Sequence, residues 1–222
     1  MTFDIGYALQ VLPIILRAAL TTLIATGLGM ALALVLGMGF ALAGWSRWPA
    51  LRRCSAAAAM FLRGTPLLVQ LYFIYYVLPL YGVATSALAT GIAALGLQYA
   101  AYVAEVYRSG FESISAGQWD AAAALGLSRG RTWLTVILPQ ALPRVIPPLG
   151  NYLIAMFKST PYLAAITVNE MLGAALDEAA QSFRYLEPML IVGGIFMISS
   201  YGSAFLVRRL ERAYPAHRAR GW

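Results

Sequence analysis

The chain has 222 residues and a formal net charge of +7, yet it is 60% hydrophobic and only 11% charged, against about 25% charged residues in a typical soluble domain. A soluble fold of 24.0 kDa has too little polar surface to cover that much apolar surface, so the composition excludes a soluble domain and places the chain in a bilayer. The cations do not gather on one soluble face, which excludes a nucleic-acid-binding role.

The opening MTFDIGYALQVLPIILR carries Asp4 where a signal peptide carries positive charge, and its first cation is Arg17, so it is not read as a cleaved signal. Without a closed barrel, only helices satisfy every backbone polar group in hydrocarbon. About 20 residues at about 1.5 Å each cover the roughly 30 Å core. The 29 uncharged residues between Arg17 and Arg47 hold a first span at about 19–44. Its run TGLGMALALVLGMGFALAG (26–44) is rich in small residues, which invite close helix packing within the chain or against a second one.

The 41 uncharged residues between Arg63 and Glu105 are too many for one helix. LPLYG (78–82) supplies a Pro–Gly break and divides them into spans at about 61–79 and 87–108. Next, Ser115 and Gln118 have capping-box spacing, which starts a helix near Gly117 that runs through WDAAAAL. Asp120 falls in its first turns, where the helix dipole favours a negative charge. Gly126 ends that helix in a left-handed cap, and Ser128 caps a second short helix expected to end near Pro139.

A fourth span follows at about 140–160, kinked in its first half by IPP (146–148). KSTP (158–161) is expected at its outer end, where Pro161 leaves Lys158, Ser159 and Thr160 facing either a cavity or a plain loop. NEMLGAALDEAAQSFRYLE (169–187) holds four acids and one arginine and reads as an outer gating helix. The fifth span is the 20 uncharged residues between Glu187 and Arg208.

With the N-terminus outside, this map leaves Arg17, Lys158 and Arg184 outside and puts the other thirteen cations in the cytoplasm, a strong positive-inside bias. The expectation is therefore an all-α, five-span, single-domain integral membrane protein over 1–222. Its C-terminus and its 117–139 segment face the cytoplasm.

Glu105 and Arg108 share a helix face, and Arg63 falls at the same membrane edge. Each left unpaired at mid-bilayer would cost about 2.5–3.5 kcal/mol. The three read as a structural ion cluster, with a gate or a ligand contact as alternatives. Gln70 and Tyr72, in the aromatic run around LYFIYY (71–76), fit a pathway for zwitterions and fit packing or lipid contact as well. One histidine, His217 in the basic tail, and one cysteine, Cys54, leave no metal pattern, no disulfide and no catalytic constellation. The scarcity of central charge and the odd number of spans speak against a secondary transporter; a passive membrane anchor would need no cavity.

On the residues alone, 117–139 fits an interfacial connector as well as a docking element. Its spacing, however, reads Asp120-Ala121-Ala122, three residues, Gly126, nine residues, Val136-x-Leu138-Pro139. This resembles the EAA loop of bacterial ABC importer permeases, with Asp in place of Glu and Val in place of Ile. FLRGTPLLVQLYFIYYVLP (61–79), AAYVAEVYRSGFESISAGQWDAAAALGLS (100–128) and FKSTPYLAAITVNEML (157–172) are similar to the matching segments of the polar amino-acid uptake permeases, the histidine/glutamine/arginine type, over about 15–212. FRYLEP (183–188) resembles the corresponding stretch of permeases for ectoine-type compatible solutes.

The resemblance implies a multi-pass subunit of the bacterial inner membrane that imports polar amino acids or related zwitterions. It implies ATPase coupling through Asp120, Ala121, Ala122, Gly126, Leu138 and Pro139. It further implies a dimer of ABC ATPase subunits below, a second permease copy or a paralogue beside, and an extracytoplasmic binding protein above. The chain itself is expected to bind no cofactor: the only lysine, in FKS, has Phe157 where a P-loop needs glycine, so ATP and magnesium belong to the partner ATPase.

Overall fold

The structure, a computed structural model, describes residues 3–213. The expected tail cations Arg218 and Arg220, and His217, lie outside the described residues. Among the described residues the fold is helical throughout, in nine α-helices joined by short π and 3-10 turns.

Helix α1, Ile5–Gly44, starts well before the expected residue 19 because Asp4 caps it, its carboxylate accepting from the Tyr7 N–H at 3.2 Å. At 40 residues it is about 60 Å long, twice the thickness of a hydrocarbon core. Its two halves serve different cores. Val11 and Ile15 pack with Met171, Ala175 and Val192, whereas Ala25, Met30 and Ala33 pack with Leu95, Tyr99 and Val103.

Helix α2, Pro49–Gly64, ends where Pro66 forces Thr65 into an extended conformation (φ −107°, ψ 140°). Helix α3, Leu67–Tyr72, continues through a π turn, Phe73–Val77, and a 3-10 turn, Leu78–Tyr81. The run Leu67–Tyr81 is bent by 104° from α2. The expected continuous span at 61–79 is thus a broken one. Pro66 bends it, and the Pro79–Gly82 signal marks its far end, with Gly82 left-handed at φ 83°.

Helix α4, Ala87–Glu112, runs parallel to α1, since Gly29 faces Leu95, Gly96 faces Leu32 and Gly37 faces Val103. The small residues of the first span therefore serve packing inside the subunit at Gly29 and Gly37, while Gly27 and Gly39 face open space. Helix α5, Ala116–Ala124, and helix α6, Arg129–Thr132, form a bent element at the expected coupling segment. The second of these does not stop near Pro139. A π turn, Trp133–Ile137, carries it directly into α7, Leu138–Ser159: the Leu138 N–H donates five residues back to Trp133 O, a widened turn just ahead of Pro139, whose ring and missing N–H disfavour a regular α-turn there. A 3-10 turn, Thr160–Ile166, then leads to α8, Met171–Ser182, and α9, Leu186–Ala213.

Three helices, α1, α4 and α9, are long and apolar enough to cross a membrane, and the bent α2–α3 pair makes a possible fourth. The expected fourth span, α7, is not among them: Gln140, Arg144, Asn151, Lys158 and four prolines dilute its apolar content.

Gly173 shows where the fold tolerates no side chain. A Cβ there would stand 2.5 Å from the Val168 carbonyl oxygen, a backbone atom that cannot swing aside. Gly173→Ala is expected to cost about 1–3 kcal/mol and to lower the Tm of the purified protein by roughly 2–10 °C for a chain of this length. An unchanged Tm would mean that the α7–α8 connection has slack.

Candidate functional site

The α5–α6 element is built from its turn outward. Gly126 is left-handed at φ 67°. Its N–H donates to Ala123 O (3.0 Å) and the Leu127 N–H donates to Ala122 O (3.1 Å), the paired bonds of a Schellman cap. The Ser128 hydroxyl accepts from the Arg131 N–H and caps α6. At the start of α5 the capping box does not close: Ser115 holds the N-cap position without a side-chain bond. Gln118 instead accepts from Gln140 Nε2 at 2.9 Å, which ties α5 to α7.

Asp120 and Ala121 are exposed, Ala122 is buried, Leu138 is half-buried and Pro139 is exposed. One side of α5 thus faces inward and the other offers small side chains and a carboxylate to solvent. Below it, Ile114, Ile137 and Ala141 form a small core. An edge-to-face chain of rings runs from Trp45 at the end of α1 to Phe111 (5.5 Å), Trp133 (5.3 Å) and Trp119 on α5 (5.4 Å). Arg144 completes the brace by donating to Ser113 O at 2.9 Å. Sequence reasoning did not single out these aromatic residues.

The expected ion cluster is assembled: Arg63 lies 3.8 Å from Glu105, and Arg108 pairs with Glu105 and, at 3.6 Å, with Glu112. Arg63 also donates to Ala101 O at 3.1 Å.

The expected pathway residues are not brought to one place. Gln70 is buried, and its Nε2 donates to the Thr65 hydroxyl (2.6 Å) and to Leu62 O (3.0 Å), the carbonyl that Pro66, lacking an N–H, leaves open. Thr160 is fully buried and donates to Phe157 O at 2.8 Å. Tyr72 is exposed beside Tyr76. Lys158 lines a cleft of about 500 Å³ between α7 and α9 that Arg208 also borders. Ser159 accompanies Leu67, Gln98, Tyr99, Tyr102, Tyr152 and Tyr162 around a separate cavity of about 240 Å³.

In that cavity Tyr102 and Tyr152 stack at 5.4 Å, and the Tyr99 hydroxyl meets Ser159 Oγ at 2.9 Å. Gln98 Oε1 is buried without a hydrogen-bond partner among the described residues, an acceptor available to a ligand N–H. Helical spacing offered a signal for this site, since 98 and 102 on α4 and 152, 155 and 159 on α7 each share a face. Met156 packs against Gly29, near the middle of the expected first span.

Above the cavity, Glu170 caps α8: its Oε1 accepts from the Gly173 N–H at 2.9 Å, and its Oε2 lies buried without a partner among the described residues. Burial pushes this carboxyl up against the pull of the Leu172 and Gly173 N–H groups. The Met171 N–H donates to Thr22 Oγ1 at 3.2 Å and pins α8 to α1. Arg184 binds Asp4 (3.1 Å) and Glu187 (2.8 Å) and covers the Tyr7 ring at 4.5 Å. The Tyr7 N–H and then Arg184 hold the Asp4 carboxyl below its ordinary 3.8. The FRYLEP stretch therefore ties down the N-terminus and contributes nothing to the lining of the tyrosine cavity.

Residues 33–214 match the family described as binding-protein-dependent transport system inner membrane component. The chain is 46% identical over 217 residues to the probable amino-acid ABC transporter permease protein y4tG of Sinorhizobium fredii, covering 96% of this chain and 92% of that one. It is 36% identical to the glutamine transport system permease protein GlnP of Escherichia coli, covering 96% and 98%. Among solved structures it is similar to an amino acid ABC transporter crystallised with histidines, at 30% identity and a TM-score of 0.90, covering 96% of this chain and all of that one. An inward-facing methionine ABC transporter shares the fold at 21% identity and a TM-score of 0.75.

Proposed function

The chain belongs to the family of binding-protein-dependent transport system inner membrane components, and on that premise we propose that it is the permease subunit of an ATP-driven importer of polar amino acids or related zwitterions. The observation that carries the reading is the exposed α5–α6 elbow, which presents Asp120, Ala121 and the Gly126 turn on a rigid base. ATP and magnesium act on a separate ATPase dimer that grips this elbow. A second permease, the same chain or a paralogue, completes the membrane unit, and an extracytoplasmic binding protein delivers the substrate.

The tyrosine cavity supplies the passage. Its π faces and the free Gln98 carbonyl suit an ammonium or other N–H-bearing cationic end, and Lys158 in the neighbouring cleft suits a carboxylate. Ectoine-type solutes fall within this zwitterion class. The Arg63–Glu105–Arg108 cluster is a structural latch at the cytoplasmic edge, and α8 with its Thr22 and Glu170 ties is the outer gate.

The reading requires five crossings with the N-terminus outside, α7 being sheltered by its neighbours. Reporter fusions after residues 50, 83, 130, 175 and 215 should read in, out, in, out, in. A fusion after 130 that reads outside would place the elbow beyond reach of any ATPase and end the proposal.

A further inference from the structure

A second site lies along α2. Between α2, the end of α1 and α4 runs a groove of about 380 Å³. Its floor is apolar, with Phe40, Ala59 and Ala104, and its rim carries Arg52, Arg63 and Arg108 beside the carboxylate of Glu105, Arg108 pairing also with Glu112. Glu105 is already shared by Arg63 and Arg108, and Arg52 pairs with no acid among the described residues. The groove therefore has surplus positive charge above an apolar bed.

Helix α2 itself is placed to hold a headgroup. It does not continue straight into the following helix but is bent from it by 104°. The Ser55 hydroxyl fastens α2 to the Phe40 carbonyl at 3.0 Å, and Arg63 fastens it to Ala101 O at 3.1 Å. Its opposite side exposes Leu51 (49%) and Phe61 (65%). A cationic rim, an apolar floor and bulky apolar side chains on the outer side make an interfacial amphipathic helix.

We propose that this groove binds a phosphate-bearing amphiphile, the headgroup of an anionic phospholipid, with the phosphate on Arg52 and the free arm of Arg63. The acyl end lies over the alanine floor. The assignment to the cytoplasmic leaflet rests on the orientation proposed above; the binding chemistry does not. Basic pockets between membrane helices on the cytoplasmic side are suited to such headgroups.

Native mass spectrometry of the full chain released from detergent tests this. Phosphatidylglycerol is expected to be retained in preference to phosphatidylcholine. Arg52→Gln should reduce that retention about five-fold, with Arg52→Lys restoring it and Arg53→Gln, which does not line the groove, leaving it unchanged. Displacement of the lipid by inorganic phosphate would identify the phosphate as the whole recognised group. Resistance to it would identify the amphiphile. Equal retention of the two lipids, or retention indifferent to Arg52→Gln, would overturn the site. Arg52 is exposed and outside every ion pair described, so this variant keeps its fold. The readout is blind to which face of the membrane the groove occupies, so failure here leaves the importer reading standing, and an inverted fusion pattern leaves the site standing.

Discussion

Gly126→Val abolishes uptake while the protein inserts at normal levels: this is the expected result of a substitution that meets no steric obstacle at all. Nothing lies within 4 Å of a Cβ built on Gly126, so space is not the issue. The obstacle is the backbone, held at φ 67°, where a β-branched residue is strained by about 1–3 kcal/mol. The turn relieves that strain by opening, and the bonds from Gly126 and Leu127 to Ala123 and Ala122 are lost with it. Helix α5 then leaves its angle to α7 while every membrane helix keeps its packing. Asp120→Lys gives the same phenotype by another route. Asp120 is exposed, so the fold is indifferent, but a reversed charge against a complementary docking surface weakens association on the order of 100-fold. Uptake of a radiolabelled amino acid into cells, normalised to the amount of permease in the membrane, measures both. Normal uptake by the two variants would remove the elbow from the coupling path.

The elbow was legible because its signals are local. Gly126 and Ser128 announce a left-handed cap and a new helix start within a few residues, and the structure places both as read. The long apolar helices α1, α4 and α9 were legible for the same reason, each holding a long run free of charge. What the sequence concealed depends on distance. Helix α1 reaches Ile5 because Asp4 caps it and Arg184, far along the chain, binds that cap; read alone, Arg17 looks like a span boundary. Gln70 has the composition of a pathway residue, yet Pro66 leaves the Leu62 carbonyl open beside it, and the amide turns to that carbonyl and to the Thr65 hydroxyl. Pro139 looks like a stop, but the π turn at Trp133–Ile137 widens the helix just before it and the chain runs on into α7. The tyrosine cavity combines faces of α4 and α7, and no single window of sequence holds both.

The second large effect concerns the ring chain rather than the motif. Trp133 stands between Phe111 at the end of α4 and Trp119 on α5, with ring centroids at 5.3 Å and 5.4 Å. Edge-to-face pairs of this kind contribute about 0.5–1.5 kcal/mol each beyond the area they bury. Trp133→Ala removes two of them at once, and with them the contact through which Trp119 reaches Phe111 and Trp45. The Ile114–Ile137–Ala141 core beneath is not touched, so α7 stays in place. Helix α5 is then free to follow an ATPase without drawing α1 and α4 along. In reconstituted vesicles the variant is expected to hydrolyse ATP at close to the normal rate while importing roughly tenfold less substrate per ATP, since about 1.4 kcal/mol of lost connection is a factor of ten. Trp133→Phe, which keeps an aromatic ring at the position, should restore most of the ratio. A merely structural role predicts that hydrolysis and import fall together in proportion to folded protein; that outcome, with the ratio unchanged, would show that force enters the membrane helices elsewhere.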